Sequence, residues 1–230
     1  MKEKPSNITV SPIAVINTDF KSKFGIPRQS GRVESLKGEI TFLPQYRSPD
    51  TVRELEGFSH IWLLFDFTLA HKSEWSATVR PPRLGGNRRV GVFASRSPFR
   101  PNPIGLSAVR LEKILYTDQG PVLKVSGVDI LDGTPILDIK PYLPSDCYPE
   151  AICGYADTVR EHKLEVIFPE KLLEKIQEDK RQAAIDCLGE DPRPSYQDDG
   201  RIYGMMMDRY DIRFTVKEGT LIVIEVKVEQ

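Results

Sequence analysis

In Phe58-Ser-His-Ile-Trp-Leu-Leu-Phe-Asp-Phe67 the side chains sort by parity. Ile61, Leu63, Phe65 and Phe67 fall on one face of an extended chain, and His60, Trp62, Leu64 and Asp66 fall on the other. Such a period of two marks a strand with one face on a core. Similar short segments flank it. Ile8 to Val10, Ile13 to Ile16 and Glu39 to Leu43 precede it, and Val90 to Ala94, Ser107 to Leu115, Val122 to Val128 and Pro135 to Ile139 follow. Turn signals such as Asp118-Gln-Gly120 and Asp132-Gly133 separate them. Many short strands with almost no helical period predict a closed or nearly closed β-barrel. One short helix is expected at Ser48 to Leu55, with Ser48 as cap and Pro49 in the first turn.

Near residue 150 the pattern changes. Tyr155 to Phe168 keeps strand character. Pro169 to Leu188 then places Leu172, Leu173, Ile176, Ala183, Ala184, Ile185 and Leu188 at helical spacing, ended by Gly189 and Pro192. This predicts one helix of about five turns. The C-terminus reads as a hairpin, Tyr203 to Val216 returning as Thr220 to Val228 through Lys217-Glu-Gly219. The expected organisation is a mainly β N-terminal barrel over residues 1–150 with a small α+β C-terminal domain over residues 151–230.

A chain of 230 residues with 40% hydrophobic and 28% charged residues is long and apolar enough to bury a core. Its longest apolar run, Ile61 to Phe65, is too short to span a bilayer, and Met1 to Asn7 lacks the apolar stretch of a secretory signal. Three cysteines (Cys147, Cys153 and Cys187) have no Cys-x-x-Cys spacing, and the three histidines lie far apart. A cytoplasmic protein with reduced thiols, no membrane association and no metal is expected.

A net charge of −1 argues against indiscriminate binding to polyanions, but the charge is unevenly distributed. From Trp75 to Leu111 there is no acidic residue and no lysine, yet Arg80, Arg83, Arg88, Arg89, Arg96, Arg100 and Arg110 occur there. A solvated face mixes signs and uses lysine freely, whereas arginine alone suits planar recognition of phosphate, carboxylate or bases. Pro81, Pro82, Pro98, Pro101 and Pro103 stiffen the same stretch, and Gly85, Gly86, Gly91 and Gly105 allow close backbone approach. Within it Asn102, between two prolines, is equally suited to an Asx turn and to ligand contact.

Three further clusters carry polar chemistry. Ile26-Pro-Arg-Gln29 puts Arg28 and Gln29 just after a fixed turn. Asp129-Ile-Leu-Asp132 sets two carboxylates at a strand end, where one can accept both hydroxyls of a ribose and where Asp132-Gly133 alone reads as an ordinary turn. Asp138-Ile-Lys-Pro-Tyr142 adds a cation and a ring suited to stacking on a base. His60 reads, on pattern, as a satisfied buried histidine. No Gly-x-Gly, Gly-Lys-Ser/Thr, Gly-x-Ser-x-Gly or His-Glu-x-x-His occurs, so nucleotide chemistry here requires a non-Rossmann scaffold.

Gly91-Val-Phe-Ala-Ser-Arg-Ser-Pro-Phe-Arg-Pro-Asn-Pro-Ile-Gly105 closely resembles the signature of the TsaA-like family, whose bacterial two-domain members are the TrmO-type tRNA methyltransferases. The resemblance extends in order through Phe24 to Gln29, Leu55 to Trp62, Thr78 to Asn87, Asp129 to Ile136 and Asp138 to Tyr142, and Asp191-Pro-Arg-Pro194 is similar to the family's C-terminal domain. It implies a β-barrel methyltransferase working as a homodimer. Such an enzyme transfers a methyl group from S-adenosyl-L-methionine to N6 of threonylcarbamoyladenosine, just 3′ of the anticodon in certain tRNAs. By motif match the cofactor site comprises Pro27, Arg28, Gln29, His60, Ile61, Arg96, Leu106, Asp129, Ile130, Leu131 and Asp132, with Ile61 where the family commonly has leucine.

The N6 atom of that substrate belongs to a urea and is a poor nucleophile until its proton is removed or its anion stabilised. Asn102, Lys140 and Tyr142 are the candidates for that role. Arg83, Arg88 and Arg100 are expected on the RNA, with the threonyl carboxylate as a further target of the arginine-rich run. Two alternatives would also explain the arginines: a non-catalytic RNA- or nucleotide-binding barrel, and a metal-free phosphotransfer or hydrolase activity.

Overall fold

The computed structural model describes residues 8–81, 84, 88–158, 163–193 and 200–229. In chain order the first part contains β1 (Ala14–Thr18), β2 (Lys37–Phe42), β3 (His60–Asp66), β4 (Thr78–Val79), β5 (Val90–Gly91), β6 (Ile104–Thr117), β7 (Gly120–Ser126) and β8 (Thr134–Pro141). Six of these close into a barrel in the order β1-β2-β7-β6-β3-β8, each pair antiparallel. The parity read from Phe58 to Phe67 holds: Ile61, Leu63 and Phe65 point into the barrel, where Ile16, Ile40, Leu123 and Ile136 join them with no exposure. Burying each such side chain contributes on the order of 1.5–3 kcal/mol, enough together to hold a barrel with no disulfide among the described residues. Closure leaves no edge on β1, which is paired to β2 on one side and β8 on the other. Ile8 to Val10 therefore has no ladder to join and runs as exposed chain, contrary to its β-branched composition.

The second part holds β9 (Glu165–Ile167), α1 (Glu170–Leu173), α2 (Glu178–Gly189), β10 (Tyr203–Met207), β11 (Tyr210–Lys217) and β12 (Thr220–Val228). Its sheet runs β10-β11-β12-β9, with β9 parallel to β12. The long strand expected from Tyr203 is two strands, because Asp208 takes a left-handed φ of 53° and turns the chain between Met207 and Tyr210. Among the described residues of Tyr155 to Phe168 only Glu165–Ile167 is strand, and Gly154–Thr158 is a 3-10 turn. The expected Ser48 to Leu55 helix is likewise made of 3-10 turns, Pro49–Val52 and Leu55–Gly57, although Ser48 does accept the Asp50 N–H.

The single helix expected over Pro169 to Leu188 is broken at Glu174 to Gln177, where neither glycine nor proline signals it. Ile176 turns into the core at 1% exposure, and the polar groups freed by the break find tertiary partners. The Tyr210 hydroxyl accepts the Gln177 N–H, and the Arg181 guanidinium donates to the carbonyls of Ile176 and Glu174. One buried apolar cluster continues from the barrel into this second part, from Phe20, Val33 and Leu36 to Ile176, Leu188 and Met205.

Candidate active site

Glycine and a polar substitution within the strand pattern open the barrel wall on one side. Along β6 the inward positions are Gly105, Ser107, Val109 and Leu111. Gly105 stands opposite Phe65 on β3, and a Cβ there would come 2.2 Å from the Phe65 ring. The missing side chain lets that ring lie across β6, edge-on to Phe67 at 5.1 Å between centroids. Two residues on, the Ser107 hydroxyl, 2% exposed, donates to the Asp129 carboxylate at 2.6 Å.

Asp129 belongs to the loop leaving β7, which is pinned on both sides. Gly31 N–H donates to Gly127 O and Gly127 N–H to Leu36 O on one side; Asp132 N–H donates to Phe20 O and Gly133 N–H to Ile16 O on the other. Burial drives the Asp129 pKa up from the ordinary 3.8 to about 6. Hydrogen bonds from Ser107 and the Ser30 backbone, and the Arg96 charge, oppose that rise without cancelling it. A desolvated carboxylate in this state favours any ligand that brings a cation or a hydroxyl donor.

Around this group lies a cavity of about 720 Å³, lined by Arg28, Gln29 and Ser30, by Trp62 and the Phe65–Phe67 pair, by most of the segment between Phe93 and Ser107, and by Asp129. A second hollow of about 230 Å³ adjoins it, sharing Phe65, Phe67, Pro98 and Asp129 and adding Lys23, Ile26, Leu69, Ile130 and Leu131. Together they suit a cofactor-sized molecule with an apolar body and a charged end. Asp129 is the one carboxylate on the larger cavity among the described residues; Arg28, Arg96 and Arg100 line the same cavity, and of these Arg96 acts on its charge.

Of the residues expected from sequence, Arg28, Gln29, Arg96, Arg100, Asn102, Leu106 and Asp129 line the larger cavity, and Ile130 and Leu131 the smaller. Arg100 also donates to the Ser95 carbonyl at 3.2 Å, bracing its own loop. Pro27 is buried behind Arg28, and the Ile61 side chain lies inside the barrel. The Asp132 carboxylate accepts the Thr18 N–H at 2.9 Å and the Asn17 amide at 3.3 Å, the turn role its Asp-Gly sequence suggests. His60 is exposed, not buried as its pattern suggested, because β3 turns that face outward; its Nδ1 pairs with the Ser59 hydroxyl at 2.9 Å. Tyr142 stands between His60 and Trp62, at 6.3 and 5.4 Å between centroids, and Lys140 pairs with Asp138 at 2.7 Å. Lys140 and Tyr142 thus sit beyond Trp62 rather than on the cavity wall. Arg88 is exposed, and Arg83 lies outside the described residues.

Ser30, Phe93 and Ser107 line the cavity without having been expected there. Ser107 had a signal, being the one hydroxyl on an otherwise apolar or glycine inward face of β6. Among the described residues no group of three metal-ligating side chains occurs and no helix is long and apolar enough to cross a membrane.

The family described as the tRNA-methyltransferase O N-terminal domain matches residues 15–147, and the TrmO C-terminal domain family matches residues 161–229. A tRNA (adenine(37)-N6)-methyltransferase of Escherichia coli (strain K12) is 40% identical over 223 residues, covering 93% of this chain and 95% of that protein. The mouse (Mus musculus) protein of the same name is 38% identical over 160 residues, 69% of this chain and 35% of its own length. A crystal structure of TrmO from Pseudomonas aeruginosa superimposes with a TM-score of 0.79 at 33% identity, covering 97% of this chain and all of that one.

Proposed function

This chain belongs to the tRNA-methyltransferase O family, and from that premise we propose that it methylates N6 of the adenine beside the anticodon of tRNA with S-adenosyl-L-methionine. The observation that carries the reading is Asp129, a desolvated carboxylate on the wall of a cofactor-sized cavity, with Arg96 alone acting on its charge. A cationic cofactor with a ribose supplies what that carboxylate lacks, and the apolar walls from Phe65, Phe67, Ile130 and Leu131 fit the uncharged remainder. Arg28, Gln29, Arg96, Leu106 and Asp129 to Leu131 would hold it by side chain or backbone, with Pro27 fixing the loop and Asp132 the turn that follows; His60 and Ile61 line neither hollow and are assigned by the family resemblance alone. When bound, the cofactor supplies an electrophilic methyl group on a positively charged sulfur.

What the protein supplies is position and charge. The substrate is threonylcarbamoyl-modified tRNA, whose N6 is a poor nucleophile until its proton is removed or its anion stabilised. Asn102 at the cavity wall hydrogen-bonds the neighbouring carbonyl, while Trp62 and Tyr142 offer a stacking surface for the base and Lys140 a positive charge beside it. Arg100, with Arg83 and Arg88, takes the RNA and the threonyl carboxylate. The chain acts in the cytoplasm as a homodimer, with the exposed Phe93 and Ile104 at the open side of the cavity they line as the apolar face nearest a second copy.

The decisive experiment is single-turnover methyl transfer from labelled cofactor to tRNA with and without the threonylcarbamoyl group, at matched salt. Methylation of the modified tRNA alone is expected, because an arginine built for a carboxylate is left unpaired by plain adenosine. Equal rates on both would remove the substrate assignment. Calorimetry with S-adenosylmethionine alone separates the enzyme from a non-catalytic binding barrel or a phosphotransferase, neither of which takes it up.

A further inference from the structure

The segment from 24 to 36 brings Arg28, Gln29 and Ser30 to the cavity but contains no helix or strand of its own. An irregular segment of that length keeps one conformation only when something outside it supplies the order. The barrel holds one side, through Gly31 on Gly127, Leu36 on Gly127 and the Ser30 N–H on Asp129. The C-terminal part holds the other. Gly25, at φ 97°, lies so close to Met205 of β10 that a Cβ would meet its Cγ at 2.5 Å. Ser35 donates to Asp186 on α2 at 2.6 Å, and Arg28 reaches the Arg193 carbonyl at 3.4 Å. The deepest of these ties is the ion pair of Arg32 Nε with Glu190, with side chains 13% and 8% exposed.

Glu190 directly follows α2, and its other oxygen, Oε1, is buried without a hydrogen bond, with Lys163 at 3.5 Å as its ionic neighbour. A half-satisfied buried carboxylate is a poor source of stability, since its desolvation offsets most of the attraction. What such a pair does provide is a fixed position for both partners. The geometry points to the C-terminal domain as the clamp that orders the cofactor-binding loop, with Glu190 as the positioning residue acting through Arg32. This rests on the reading that the cavity takes S-adenosylmethionine. It gives the second domain a part in cofactor binding, apart from any contact with RNA.

Lys180 supplies the comparison. It also ties the two parts together, pairing with Asp19 beside β1 and with Asp208 of the β10–β11 turn at 3.1 Å, but among the described residues it makes no ion pair or hydrogen bond to the 24–36 loop. The test compares Glu190→Gln, Arg32→Met, their double variant and Lys180→Met in the full chain. Amide exchange over residues 28–36 is followed without ligand, and S-adenosylmethionine affinity by calorimetry. Glu190→Gln and Arg32→Met should each speed exchange in that loop and weaken the cofactor about tenfold, as when the binding-competent loop falls to about a tenth of the population. The double variant should be no weaker than either single one, and turnover at saturating cofactor should stay within about twofold. Lys180→Met should lower the melting temperature and leave loop exchange and affinity alone. Unchanged exchange in Glu190→Gln, or equal loosening by Lys180→Met, overturns the clamp. If the unaltered protein takes up no S-adenosylmethionine the functional reading fails instead, and the exchange rates still decide the clamp.

Discussion

Replacing Asp129 by asparagine should make the ligand-free protein more stable at pH 8 while weakening its cofactor. The carboxyl titrates at about 6 rather than the ordinary 3.8 because burial penalises the ion more than Ser107, Ser30 and Arg96 relieve it. The difference, at about 1.36 kcal/mol per pH unit, sets the cost of holding the ionised group in the fold at roughly 3 kcal/mol. The sign follows from linkage. A folded pKa raised above the unfolded one contributes stability that is complete below about pH 4 and lost as pH rises through about 6. Asparagine keeps an acceptor for the Ser107 hydroxyl and carries no charge, but its amide N–H groups need partners, which costs about 1 kcal/mol. A net gain of about 1–3 kcal/mol at pH 8 is therefore expected, or several degrees in melting temperature at roughly 2–4 °C per kcal/mol for a chain of this size. Urea denaturation of both proteins from pH 3.5 to pH 8 reads it: the difference in asparagine's favour should grow by roughly 3 kcal/mol between about pH 4 and pH 6 and stay level above that. A variant less stable than the original at pH 8, or a gap that does not change with pH, would show that the carboxylate is already satisfied and that the site is not poised for a cation.

Arg96 and Arg100 line the same cavity but stand differently, Arg96 against the Asp129 charge and Arg100 on the Ser95 carbonyl. Arg96→Ala should weaken the cofactor, whereas Arg100→Ala should weaken tRNA more than cofactor; equal losses for both ligands in both variants would show the loop to be one unit. Gly105→Ala should destabilise by about 1–3 kcal/mol, because its Cβ would overlap the Phe65 ring, and should also narrow the cavity that ring lines. Denaturant unfolding with parallel cofactor titration checks it, and an unperturbed variant would mean the ring has free space elsewhere.

The barrel was legible because its strands alternate, and alternation survives without knowledge of the partners: β3 reads as drawn from Ile61 to Phe65. Features set by partners were not legible. The break at Glu174 to Gln177 has no local cause, since helical spacing continues through it, and depends on the Tyr210 hydroxyl and on a core that draws in Ile176. Ile8 to Val10 has strand composition but no free edge to join. The outward turn of His60 follows from parity, and burial was the wrong inference because charge and ring chemistry on an exterior face look the same as in a satisfied core.

The site shows the same division. Residues 28–30, 62–67, 93–107 and 129–131 are scattered over a hundred positions, and none forms a compact phosphate or dinucleotide fingerprint. Barrel closure makes them neighbours by setting β3 beside β6 and bringing the loop after β7 against the loop before β2. A scaffold of this kind has no α-helix N-terminus at the site among the described residues to hold a ligand, so much of the polar work falls to single side chains on loops. Loops pinned only by the barrel would surrender much of their affinity to ordering. The stiffening prolines of 98–103 meet that cost within one loop, where composition revealed it. For the 24–36 loop the stiffness comes from Glu190, Asp186 and Met205, more than 150 residues away, which is why Arg28 and Gln29 could be named from the sequence while the domain that holds them in place could not.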